Sequence, residues 1–315
     1  MHLVSIPANP VPDGAVLAMI RTSDGLSLRT ARWPPPPGRK GTVVVVQGRT
    51  EFIEKYYETV RDLRERGFAV ATFDWRGQGL SDRLLPDRRK GHIQNFSRYE
   101  IDLDAFMREI VLPDCPPPYF ALCHSTGAAV LMRVAMRGNR WFDRMVFTAP
   151  LIQLARMPAM GFARGIVRGM RLLGMGSRYA PGGDGTPLAL GPFVGNILTS
   201  DPVRYARTAA VLEAEPDLAI GGPTIAWVDS AFRVMAEFNE PGYPERLRQA
   251  ILMVAAGRDK VTSTPAIENF GIHMRAGSHL IIPGAQHEIL MEQDSYRQQF
   301  WAAFDAFVPG TPLYK

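Results

Sequence analysis

The chain has 315 residues, room for one large α/β core with an inserted subdomain or for two small domains. Hydrophobic residues make up 46% and charged residues 21%, ordinary globular usage that excludes a disordered chain. The net charge of +5 is too mild to require an anionic partner, and no Lys/Arg block or zinc-ligand spacing is present, so no nucleic-acid partner and no metal is expected.

The first residues, MHLVSIPANPVPDG, carry no basic stretch and no long apolar run, so no signal peptide is expected. Residues 16–21 and 26–33 flank the turn Ser23-Asp24-Gly25 and predict a hairpin. The tract WPPPPG at 33–38 reads as a short stiff turn, too short to separate domains. Residues 42–47 (TVVVVQ) are β-branched and bounded by glycines, as in a buried strand of a parallel sheet. A helical pattern from about 56 to 66 stops at Gly67, a good C-terminal cap. Residues 68–73 (FAVATF) predict a second buried strand, 99–112 an amphipathic helix, 119–123 (YFALC) a third strand, 126–138 a helix and 144–148 (RMVFT) a fourth strand.

Alternation then stops. Residues 150–239 are helical in pattern, rich in Met and Arg, with Pro/Gly loops. It resumes with a strand at 250–256 (AILMVAA), a helix near 264–271, a strand at 278–282 and a helix at 295–308. Alternation on both sides of a helical insert predicts an α/β fold: a mostly parallel, eight-stranded sheet flanked by helices, with an inserted helical cap. The expected division is core 1–149, cap or lid 150–240 and core 241–315. No run of ~20 apolar residues predicts a membrane-spanning helix. Seven residues separate Cys115 from Cys123, much of that stretch in extended strand, so no bridge is expected. Reduced thiols fit a cytoplasmic compartment.

Ser125 stands two residues after a strand, with a helix directly behind it and Gly127 two residues on. This is the strand–turn–helix setting of a nucleophile elbow. The turn lifts the hydroxyl above the sheet, and the N–H of Thr126 faces a developing oxyanion. Cys123 replaces the first glycine of the motif and reads as a packed core thiol. The plainer alternative makes Ser125 a helix N-cap. Among six histidines, only His287 follows a strand end in a loop, at the sheet edge where open α/β sheets carry their sites. His124 is expected to point away from Ser125 across the turn. Asp259, just beyond the strand at 250–256, is the candidate acid, or alternatively a cap of the next helix. Gly48 lets backbone approach at the end of the first parallel strand, making the N–H of Arg49 the second oxyanion donor.

The runs QGRTEFIEKY, FDWRGQGLSD, CHST-G, GRDKVTS and GAQHEIL resemble the lysophospholipase L2 and monoacylglycerol lipase branch of the α/β hydrolases, with the serine aminopeptidase group close by. The likeness spans roughly residues 15–310. It implies a triad of Ser125, Asp259 and His287, oxyanion donors Arg49 and Thr126, no cofactor, and a structural turn at Asp74, Arg76, Gly77, Gly79 and Ser81. Gln47 stands where many lipases of this group carry His, which suggests the lysophospholipase-like subgroup. Gln47, Gly48 and Trp227 are candidate substrate contacts.

The segment 151–183 has arginines at 156, 164, 168, 171 and 178 and no acid. Arg164, Arg168 and Arg171 share one helical face, and Met160, Val167 and Met170 another. Such a helix could rest on an anionic membrane or simply present a solvated face. Its glycines at 161, 165, 169 and 174 would permit a mobile lid. The expected function is cleavage of a carboxylic ester, with a lysolipid or another small-molecule ester as substrate. The rivals are a peptidase or amidase on the same triad and a catalytically silent binding protein.

Overall fold

The structure, a computed structural model, describes residues 2–37, 40–155 and 160–309. Gly38 of the proline tract and Arg156 lie outside them. Eight strands form one sheet in the order β1-β2-β4-β3-β5-β6-β7-β8. They are β1 (Val16–Arg21), β2 (Ser27–Trp33), β3 (Thr42–Val46), β4 (Ala69–Phe73), β5 (Tyr119–His124), β6 (Arg144–Thr148), β7 (Ala250–Ala256) and β8 (Gly277–Ile282). β1 and β2 form the predicted antiparallel hairpin, and β2 pairs antiparallel with β4. From β4 across to β8 every pair is parallel.

Period-2 alternation explains why the central strands are apolar throughout. Val44 and Val46 join one buried cluster with Met145, Phe147 and Met253. Val43 and Val45 point the other way, with Val146, Leu252 and Val254. Helices cover both faces, so the few polar residues there, such as Thr72 and Thr148, bond to strand carbonyls.

Helix α1 (Tyr57–Glu65) follows a 3-10 turn, Ile53–Tyr56. Helix α2 (Ser97–Phe106) begins two residues earlier than the sequence pattern predicts and runs through a π turn, Met107–Val111, into the short α3 (Leu112–Asp114). Helix α4 (Thr126–Met136) follows β5 directly. Between β6 and β7 lie α5 (Met160–Met170), α6 (Pro202–Ala214), α7 (Ile225–Phe238) and α8 (Tyr243–Arg246). Asp201 caps α6 by accepting from the N–H groups of Val203 and Arg204, each at 2.9 Å. Helix α9 (Thr264–His273) joins β7 to β8, and α10 (Asp294–Phe307) closes the fold.

The turn after β4 is structural, as expected. Asp74 accepts from the backbone N–H groups of Ile53 and Leu80 and from Arg29, while the Ser81 hydroxyl donates to its carbonyl. Gly79 is obligatory there: its φ is +52°, and a β-carbon would lie 2.1 Å from the Asp74 carboxylate.

From β3 the chain crosses to β4 on one side and later to β5 on the other. Their carboxyl ends therefore flank a topological switch point, where this class of sheet opens a crevice. The described residues contain no helix long and apolar enough to cross a membrane.

Candidate active site

β5 runs directly into Ser125, whose backbone is forced to φ 49° and ψ −110°. That conformation costs a non-glycine residue about 1–3 kcal/mol and persists only where its surroundings impose it. The constraint is visible at Gly127. A β-carbon there would stand 2.5 Å from the carbonyl oxygen of Gln47 and 2.6 Å from that of Val46. Helix α4 thus crosses the end of β3 at a separation only glycine allows. Ser125 occupies the N-cap position, but its hydroxyl caps nothing. It lies 3.2 Å from Nε2 of His287 instead. Cys123 is fully buried in the core beside Val46, and burial pushes its thiol well above the usual range. Both cysteines are unbridged.

His287 Nδ1 sits 2.8 Å from Asp259 Oδ2. Asp259 also accepts from the backbone N–H groups of Val261 and Thr262, at 2.7 and 3.0 Å, and from the Thr262 hydroxyl at 2.7 Å. Burial opposes ionisation of this carboxyl, but the imidazole and these donors outweigh it and hold its pKa below the usual value. Burial likewise works against a charged His287, and the Asp259 carboxylate reverses the effect, raising its pKa. The alternative for Asp259 is half realised. It organises its own turn, but the cap of α9 is Ser263.

The loop after β3 contributes backbone. The Gly48 N–H donates to Glu51 Oε2 at 2.5 Å, and a β-carbon at 48 would lie 2.9 Å from both Glu51 and His124. Gly48 is therefore a packing necessity. The N–H groups of Arg49 and Thr126 have no acceptor among the described residues, and both residues line the cavity above Ser125. Gln47 does not belong to the cavity wall. It is fully buried, with its amide 3.4 Å from the Thr72 hydroxyl and its carbonyl accepting the Trp75 indole N–H. Its side chain lies against Thr72 of β4 instead. Gly48 is also absent from the wall.

The cavity measures about 230 Å³. Its wall is mostly apolar, with Leu151, Leu198, Trp227, Phe232 and Met235 facing Ser125 and His287. Trp227 stands in the first turn of α7. His124 departs from expectation. It lines this cavity too, its ring centroid 4.7 Å from that of His287 and its Nδ1 3.2 Å from the Thr148 carbonyl. Burial pushes its pKa down to about 4, so it is neutral beside the charged relay.

Behind it lies a buried ionic cluster that sequence reasoning missed. Lys55 bridges Glu51 at 3.0 Å and Glu288 at 2.6 Å, and Tyr56 donates to Glu51 at 2.7 Å. Burial of Glu51 opposes ionisation, yet Lys55 and the other donors bring its pKa down to about 2.

A mostly parallel sheet with this order, and a Ser–His–Asp hydrogen-bonded series at its carboxyl edge, define an α/β hydrolase. The family model described as "Serine aminopeptidase, S33" matches residues 37–294, and the chain belongs to that family. Lysophospholipase L2 of Escherichia coli (strain K12) is 32% identical over 272 residues, covering 81% of this chain and 76% of that protein. The probable lysophospholipase L2 of Haemophilus influenzae is 25% identical, covering 87% and 85%. Among solved structures, a monoglyceride lipase from Saccharomyces cerevisiae superposes with a TM-score of 0.73 at 19% identity, covering 94% and 97%. A carboxyl esterase from Bacillus coagulans reaches 0.74 at 18%, covering 95% and 99%. At such identities these two establish the fold alone.

Proposed function

We propose that this chain is a serine hydrolase that cleaves the carboxylic ester of a single-chain glycerolipid, a lysophospholipid in the first instance, through an acyl-enzyme. The 3.2 Å approach of His287 Nε2 to the Ser125 hydroxyl carries the reading. His287 takes the hydroxyl proton, Ser125 attacks the ester carbonyl, and Asp259 stabilises the imidazolium. The N–H groups of Arg49 and Thr126 receive the oxyanion. His287 returns its proton to the leaving glycerol oxygen, and water, activated the same way, releases the fatty acid.

Residues 150–240 act as a cap whose apolar residues house the acyl chain, with Trp227 as a substrate contact. The lysophospholipase names of the relatives support the lipid, and the apolar wall supports a chain. A peptidase reading has less support. An aminopeptidase must hold an α-ammonium, and Glu288, the one carboxylate on the wall among the described residues, is paired with Lys55.

The cap also offers a face to lipid. Arg168 and Arg171 do not form an outward basic stripe, since both reach Asp229 on α7. Phe162, Leu172 and Leu173 are 73%, 75% and 81% exposed instead, an apolar face suited to peripheral contact with a bilayer surface.

A fluorophosphonate probe tests the core of the reading. Intact mass should show one adduct, located at Ser125 and absent from S125A. Folded protein without that adduct removes the serine mechanism. Faster cleavage of aminoacyl anilides than of p-nitrophenyl esters would turn the assignment to a peptidase.

A further inference from the structure

Arg49 is the only Lys or Arg side chain on the cavity wall among the described residues. It is half-buried, and it differs from three buried cations of the fold. Arg29 and Arg76 each meet two carboxylates, and Lys55 meets two. Arg49 meets no carboxylate within ion-pair distance among the described residues. Its guanidinium makes one hydrogen bond, Nη1 to the Gly221 carbonyl at 2.9 Å, and lies 5.6 Å from the ring centroid of Trp227, itself part of the wall.

Burial lowers its pKa to about 10, so it remains a cation at neutral pH. A guanidinium has five N–H donors in a fork that matches phosphate. Among the described residues no carboxylate offsets its desolvation; only the Gly221 carbonyl and the Trp227 ring face it.

We infer that the Arg49 side chain is the receptor for the phosphodiester of the head group, so that one residue reads both ends of the polar part of a lysophospholipid. This rests on the ester-hydrolase reading above. The lengths agree. In a lysophospholipid acylated at the terminal glycerol carbon, ester carbonyl carbon and phosphorus are about six bonds apart, as are the N and guanidinium carbon of an arginine. With the Arg49 N–H on the oxyanion, its guanidinium reaches as far as the phosphate does. The apolar wall takes the acyl chain on the other side of the carbonyl. A monoacylglycerol fills the same cavity but leaves the cation unanswered.

The test compares matched chains, 1-oleoyl-lysophosphatidylcholine and 1-oleoylglycerol, in identical mixed micelles. R49M should lower the ratio of their kcat/KM values by about 10- to 100-fold, the size of one lost charge-assisted hydrogen bond. R49K should restore much of that ratio. An equal fall on both substrates overturns the inference, because it marks Arg49 as only a prop of the oxyanion loop.

A second measurement needs no variant. Glycerophosphocholine should inhibit p-nitrophenyl butyrate hydrolysis competitively, and glycerol at equal concentration should not. Inhibition by inorganic phosphate as strong as by glycerophosphocholine would point to a free-anion site and also overturn it. A Ser125 adduct together with an unchanged ratio leaves ester hydrolysis standing and removes only the head-group role.

Discussion

Gly127→Ala tests the elbow at its tightest point. The added methyl would lie 2.5 and 2.6 Å from two carbonyl oxygens, about 0.9 Å short of ordinary contact. Neither oxygen can retreat. Val46 ends β3 at the centre of the sheet, paired with Cys123 of β5, and the Gln47 carbonyl is held by the Trp75 indole at 2.9 Å. Helix α4 must therefore move, taking Ser125 with it. Overpacking of this kind costs about 1–3 kcal/mol, and rigid backbone on one side places this case at the upper end. A shift approaching 1 Å at a nucleophile lowers turnover by about 10²-fold.

Urea unfolding and p-nitrophenyl ester kinetics measure both quantities. Gly138→Ala is the control. Its φ is +87°, but nothing lies within 4 Å of the new methyl. It should cost about 1–2 kcal/mol through backbone strain alone and leave kcat unchanged. If G127A unfolds within about 0.5 kcal/mol of the parent and keeps kcat/KM within about twofold, the close approach does not hold the elbow.

The base must be neutral to accept the Ser125 proton, and Asp259 raises its pKa above the ordinary value of about 6.5. The acid limb of kcat/KM should therefore lie above 6.5. D259N should move it down and lower kcat by about 10⁴-fold. A pH–rate profile with an acid limb below 6.5 in the parent contradicts this. The same pair sets stability. The raised pKa of His287 gives stabilisation that is full below its unfolded value and lost as pH rises through the folded one. The depressed pKa of Asp259 gives stabilisation present above about 3.8 and lost as pH falls through its lower folded value. At the lipid face, L172E/L173E should cost under about 0.5 kcal/mol in stability, since both side chains are exposed, yet abolish co-sedimentation with anionic vesicles at low salt. Parent protein left in the supernatant, or a double variant that still pellets, removes the contact.

The central strands were legible because each is a short apolar or β-branched run between turn residues, and β1 and β2 because they flank the turn Ser23-Asp24-Gly25. Ser125, His287 and Asp259 could be placed at one edge because each follows such a run. What sequence hid was direction and charge compensation. Glu51 and Lys55 are four apart, the spacing of an exposed helical pair. Only Glu288, 233 residues beyond Lys55, makes them a buried cluster. Gln47 was a candidate substrate contact, but its side chain lies against Thr72 of β4.

His124 was misjudged for a related reason. Regular alternation was carried up to Ser125, whereas the elbow breaks it there. Three non-glycine residues among those described have positive φ: Thr50 at 65°, Ser125 at 49° and Ala149 at 44°. They follow β3, β5 and β6, three adjacent strands, on the edge where the cavity opens. Local propensity argues against each of these conformations; the elbow motif announced the one at Ser125, and nothing in the local sequence announced those at Thr50 and Ala149. They hold because the strands beneath are paired and fully packed, and that rigidity presents the Ser125 hydroxyl to His287 instead of letting it relax into a helix cap.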